Sequence, residues 1–233
     1  MFSNRFNDAI RIYMKILDIQ GRLQNLIGRI NLPFFRNLSK SEREYLIKIF
    51  ADEKSSKIKP ELKLRMYEIL IQLMKRHRES FGFLLVLGWN SKWNKEFMSL
   101  PDVSQNIFEE TLFRFMEHSM EEGVNKLSRT IDFDGAVLVN SNGRAFASGV
   151  YLENMKPKQV IEKTGISRYE DLSQAFGFSH KVHTRHLSGI AASYWLKNTL
   201  VYVISEEDQT LRVFEKGRII YSPYKKEIAW NKE

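Results

Sequence analysis

The sequence predicts an α/β domain with a mixed central β-sheet flanked by helices, preceded by an N-terminal helical segment. Three observations lead there. A heptad-spaced apolar seam runs near the N-terminus, one short strand is apolar along its whole length, and helix-like and strand-like segments alternate from residue 60 onward.

The elements follow in chain order. Ala9, Ile12, Ile16, Ile19, Leu23, Leu26 and Ile30 recur at steps of three and four, a helical seam of about three heptads that suits pairing with another helix. "NLP" at 31–33 stops it. A second helix is predicted from Ser39, whose hydroxyl and the carboxylate of Glu42 form a capping box. The lysine-rich "ADEKSSKIKP" at 51–60 reads as a linker. The chain is therefore divided into an N-terminal helical segment (1–59), regulatory or oligomerising, a main domain (60–225) and a C-terminal tail (226–233).

Within the main domain, "ELKLRMYEILIQLMKRH" is an amphipathic helix, and "FGFLLVLG" is a strand of the kind buried on both faces. "SQNIFEETLFRFMEHSMEEG" at 104–123 is predicted helical. "GAVLVNSNGRAFASGVYL" is a hairpin turning at Asn142-Gly143, a pair that accepts the positive φ angles of a tight turn. "LVYVISEEDQTLRVFEKGRII" supplies two more strands around a polar turn.

Composition narrows the function. With 233 residues, 43% of them hydrophobic, the chain can bury a sizeable core. It has no cysteine, which excludes a disulfide framework and thiolate metal sites and fits a cytoplasmic location. The longest apolar run, "FGFLLVLGW" at 81–89, is far short of the roughly 20 residues that span a bilayer, and no signal-peptide core stands at the N-terminus, so no membrane partner is expected. The net charge is +8, but residues 1–60 hold twelve Lys/Arg against six Asp/Glu, a net of +6 that leaves +2 for the rest. The basic excess is N-terminal and carries no recognised nucleic-acid-binding motif, so no nucleic-acid partner is expected.

Three clusters carry chemistry. Asp134 precedes a strand in "FDGAVLV", where Gly135 and Ala136 leave room for a close ligand; the alternative is a plain Asp-Gly turn. "HTRH" at 183–186 meets a helix start: Thr184 can cap it, Arg185 offers a fork of donors to phosphate, and His186 can ligate a metal or bind an oxyanion. A capped helix with surface cations is the alternative. "ISEED" puts Ser205, Glu206 and Glu207 at a strand end, as a carboxylate pair for a hard divalent ion or as a solvated acidic turn. Neither GxxxxGK[ST] nor a strand-borne GxGxxG occurs.

Taken in order, "DGAVLV", the hairpin into "SGVYL", "TRHLSGIAAS" and "VISEEDQTLRVFEKGRI" resemble the diadenylate cyclase domain, over about residues 60–225. That family is marked by Asp-Gly-Ala, by Arg-His-Arg within Thr-Arg-His-Arg-Ala-Ala, and by Ser-Glu-Glu. The resemblance implies a nucleotidyltransferase that condenses two ATP into cyclic 3′,5′-di-AMP with release of two pyrophosphates, using Mg²⁺ or Mn²⁺. It implies that Asp134 binds or activates the attacking 3′ hydroxyl, with Gly135 and Ala136 against ribose and base. Tyr151 and Leu152 would contact adenine, Thr184 and Arg185 would hold phosphates, and Ser205 would contact phosphate. His186 would lie near the metal, which Glu206 and Glu207 would help bind. One motif set per chain implies a face-to-face homodimer or a higher homo-oligomer. Residues 1–59 resemble the helical extension of sporulation-type cyclases, where such helices hold an inactive assembly. Two positions depart from the pattern: Leu187 replaces the second arginine, and His183 replaces a glycine. The rival readings are a weakened member that senses ATP or cyclic di-AMP, and a basic helical adaptor that binds nucleic acid through residues 1–60.

Overall fold

The computed structural model describes residues 40–50, 57–165 and 170–229. The chain divides into two compact units, Met1–Ala51 and Asp52–Glu233. In the first, helix α1 spans Lys40–Phe50, beginning one residue after the expected cap, with Leu46, Ile47 and Phe50 buried. The seam at 9–30, Ser39 and the side chain of Glu42 lie outside the described residues.

The second unit is built on a seven-stranded mixed sheet in the order β2-β4-β3-β1-β5-β6-β7. The strands are β1 (Phe83–Trp89), β2 (Met98–Ser99), β3 (Ala136–Asn140), β4 (Ala145–Leu152), β5 (Leu200–Ile204), β6 (Leu211–Glu215) and β7 (Arg218–Tyr221). Only β1 and β3 run parallel; every other neighbouring pair is antiparallel. The mixed sheet flanked by helices is the architecture that the sequence predicts.

Strand β1 sits at the centre because its apolar run has two faces to bury. Leu84 and Val86 pack with Ile190, Ala191 and Ala192 of helix α5 (Thr184–Trp195). The alternate residues Leu85 and Leu87 are equally buried, on the opposite face. That face carries helix α2 (Pro60–Arg76), whose Lys63 carbonyl accepts the Tyr202 hydroxyl at 2.9 Å. Pro60 starts α2 where a missing N–H costs nothing. The end of the expected linker is folded too: Ile58 is 2% exposed and covers Gly88 of β1.

Several local expectations change. The segment 104–118 is not a helix: Val103–Gln105 makes one 3₁₀ turn, and Phe115 N–H then donates to the Gly143 carbonyl at 2.9 Å while Ala145 N–H donates to the Phe113 carbonyl at 2.8 Å. Burial there alternates, with Phe113 and Phe115 inside and Leu112 and Met116 outside, which is strand periodicity read over too short a stretch to separate from a helix. The helix, α3 (Met120–Ser128), starts at a capping box between Ser119 and Glu122. In the β3–β4 turn Gly143 alone takes positive φ, at 79°, while Asn140 Oδ1 accepts from Asn142 N–H at 2.9 Å and Arg144 N–H at 3.0 Å. A third strand, β7, follows β6 through a two-residue turn at Lys216 and Gly217, both at positive φ, as a type I′ turn requires. Helix α4 (Pro157–Thr164), the short α6 (Lys225–Ala229) and single helical turns at Asn94–Phe97 and Leu172–Ala175 also belong to the unit. Because Glu227 has no exposed surface, the folded unit runs past the limit drawn at 225. None of the described helices is long and apolar enough to cross a membrane.

Helix α5 approaches the sheet through Gly189, where a Cβ would lie 2.6 Å from Val203 Cγ2 and 3.3 Å from Phe214. Gly189→Ala should therefore lower stability by about 1–3 kcal/mol through overpacking, seen as a lower urea midpoint at unchanged m-value.

Candidate functional site

The strand directions bring the three clusters together. Strands β1 and β3 are parallel, so both start at one end of the sheet; β4 and β5 run against them, so both finish there. Asp134-Gly135-Ala136 leads into β3, Tyr151 and Leu152 close β4, and Ser205 follows β5. The first turn of α5 lies over the same end. The result is a cleft of about 610 Å³ lined by Asp134, Gly135, Ala136, Tyr151, Leu152, Thr184, Arg185, His186, Ser205, Glu206 and Glu207. Every candidate site residue read from the sequence lines this cleft, together with Leu84, Val150, His183, Ser188 and Ile204, whereas Leu187 does not.

Gly135 is required by its conformation and its neighbours. Its φ is 98°, and a Cβ there would sit 2.5 Å from the Val150 carbonyl oxygen. The start of β3 thus lies flush on β4, beside Tyr151, which is 43% exposed, while Asp134 is exposed at the rim.

Across the cleft, Arg185 lies over Gly82, just before β1, where a Cβ would come within 1.6 Å of its Nη1. The same Nη1 pairs with Glu206 Oε2 at 3.3 Å. The Ser205 hydroxyl donates to Glu207 Oε2 at 2.8 Å, which holds the Glu207 carboxyl below its ordinary range. His183 Nε2 lies 3.8 Å from the other oxygen of Glu207. Thr184 does not cap α5: it is the first helical residue, and His183 takes the cap position without a side-chain bond.

His186 differs most from expectation. Its ring is 2% exposed, and its Nε2 lies 3.2 Å from Nη1 of Arg212 on β6. Burial first, and then the Arg212 charge, push its pKa down to about 4, so the ring is neutral. With Nε2 engaged, His186 does not suit the metal role implied by the resemblance. Among the described residues, no group of three or more His, Asp or Glu is arranged to hold a metal. Glu206 and Glu207 offer carboxylate oxygens, the donor type that a hard divalent ion takes.

The sequence reading missed Gly82, Asp208, Arg212 and Glu227. Burial raises the pKa of Asp208, but hydrogen bonds from Thr210 and Ser205 and the Arg212 charge outweigh it and hold the group at about 2. The one available signal was an arginine inside the apolar strand "LRVF".

No protein-family profile matches this chain and no curated protein matches it. Among the solved structures that are similar are two of low identity. A hypothetical membrane spanning protein from Bacillus cereus is 16% identical with a TM-score of 0.46, covering 94% of this chain and 91% of that one. A double mutant of DacA from Staphylococcus aureus is 17% identical with a TM-score of 0.40, covering 83% of this chain and 95% of that one. Neither likeness bears on what the cleft binds.

Two outcomes test this geometry. Gly82→Ala should dislodge the Arg185 guanidinium and break its pair with Glu206, seen as a shifted ¹⁵N guanidinium signal in NMR, with little change in melting temperature. The depressed pKa of His186 gives stability that is complete above the unfolded value near 6.5 and lost as pH falls toward about 4. Urea unfolding should therefore register a loss of about 2 kcal/mol between pH 8 and pH 5 from this group. His186→Gln should flatten that part of the profile.

Proposed function

We propose that this chain is a diadenylate cyclase, condensing two ATP into cyclic di-3′,5′-AMP and two pyrophosphates where two chains meet face to face. One observation carries the reading: three motifs far apart in sequence, in the order of that family, line one cleft at one end of the sheet. Asp134 at the rim accepts the proton of, or orients, the 3′ hydroxyl. Arg185 and the N-terminal turn of α5 receive phosphate oxygens, and Tyr151 and Leu152 lie against the base.

The charge of the cleft supports a divalent ion. Asp134, Glu206 and Glu207 against Arg185 leave three negative charges and one positive, a net of −2 before a triphosphate arrives. Mg²⁺ or Mn²⁺ would neutralise the phosphates and polarise the α-phosphoryl group, with Glu206 and Glu207 as oxygen donors. In-line attack then needs positioning more than covalent chemistry. A chain with one motif set holds one ATP, so the partner is a second copy in a homodimer or higher homo-oligomer. Residues 1–59 are proposed to regulate or oligomerise the enzyme, and its location is proposed to be the cytoplasm.

A second reading, a sensor that binds ATP or cyclic di-AMP without turnover, is favoured by Leu187, which packs against the core and offers no donor where the family has arginine. Incubating the full chain with ATP and Mn²⁺ and weighing the product separates the two; nucleotide binding without product would identify the sensor. Asp134→Asn should abolish synthesis while ATP still binds in calorimetry. Wild-type turnover in that variant would remove Asp134 from the mechanism. Specific activity should also fall on dilution as the dimer dissociates.

A further inference from the structure

Behind the cleft, one guanidinium joins two of its walls. Arg212 has no exposed surface. Its Nη1 lies 3.2 Å from His186 Nε2 and donates to Thr210 Oγ1 at 2.9 Å, and its Nη2 reaches Asp208 Oδ2 at 3.5 Å. His186 belongs to the first turn of α5, and Asp208 to the turn that carries Glu206 and Glu207. Both walls are thus referenced to one rigid planar group.

Arg212 is gripped from behind by Glu227 of α6, Nε to Oε2 at 2.9 Å and Nη2 to Oε1 at 3.2 Å, with neither side chain exposed. Glu227 also accepts from Ser179 N–H at 3.1 Å and from the Ser179 hydroxyl at 2.9 Å. Ser179 begins the loop that leads into α5, so the grip reaches that helix from a second side. A guanidinium keeps its charge and only donates, so the engaged His186 Nε2 accepts and the ring proton resides on Nδ1. Any polar contact from His186 to an occupant of the cleft therefore comes from Nδ1–H.

We propose that Arg212, gripped by Glu227, is a positioning residue that locks His186 in the Nδ1–H tautomer and sets the start of α5 against the Glu206-Glu207 turn. The C-terminal helix is thereby part of the framework of the site. The effect on turnover rests on the cyclase reading; the tautomer lock does not.

The test uses the full chain labelled with ¹⁵N-histidine. Wild-type His186 should show a protonated Nδ1 and a bare, hydrogen-bonded Nε2, and Arg212→Met should mix the tautomers. Glu227→Asp, which keeps the charge, should stay closer to wild type than Glu227→Gln. With ATP and Mn²⁺, Arg212→Met should lose on the order of 10²-fold in kcat with KM within about threefold, as expected for a reacting group displaced by about 1 Å. A folded Arg212→Met with the wild-type tautomer would overturn the proposal. So would a wild-type spectrum with the proton on Nε2, which decides the matter even if the variant does not fold. If the wild type makes no product, the cyclase reading fails and the tautomer result still stands.

Discussion

A guanidinium with no exposed surface must find its counter-charge inside the protein, and much of this domain is arranged around that demand. Removing such a pair from water costs several kcal/mol per ion, recovered only when geometry is good and the remaining donors are filled. Arg212 meets the condition with a two-point pair to Glu227 and further partners in Thr210, Asp208 and His186. The chain end, the loop at 179, the first turn of α5 and the β5–β6 turn all contribute to this one cluster. An apolar substitute of the same volume would satisfy stability as well. What it would lose is the fixed registration of four segments that are distant in sequence.

Topology supplies the rest of the site. A single parallel pair, β1 with β3, inside an otherwise antiparallel sheet puts two strand starts and two strand ends at one edge. Motifs some fifty and then twenty residues apart fall together for that reason, from Asp134 to Thr184 to Ser205. Glycines set the closeness of the walls. Gly135 lets the start of β3 lie on β4, and Gly82 leaves space for Arg185 to turn toward Glu206.

Much of this was legible in the sequence, and where it was not the cause is identifiable. The unbroken apolar run of β1 has no solvent face to offer, so its central position followed. The cleft residues were legible as an ordered set of motifs, each ambiguous alone. The segment 104–118 carries helical spacing at Phe108, Leu112 and Met116, but pairing with the β3–β4 turn leaves Leu112 and Met116 outside and buries Phe113 and Phe115. Strand β7 is not legible in the pattern because lysine stands at Lys216-Gly217 where the usual turn signal has asparagine or aspartate, although both residues adopt positive φ. Thr184 resembled a cap by type, but position is set by backbone geometry, which puts His183 there. The ion pair that organises the cluster joins residues 212 and 227, the second of them assigned to a tail, and local pattern carries no information about such a partner.

The two ends of the sheet have their own consequence. Its border strands are short, β2 with two residues and β7 with four, and Arg218 stands exposed at the start of the latter. Among the described residues, border strands this short leave little edge for strand addition, the usual route by which sheets join across molecules and nucleate aggregates. Side chains on the faces and loops, the end bearing the cleft among them, offer more surface for a second copy than these short borders do.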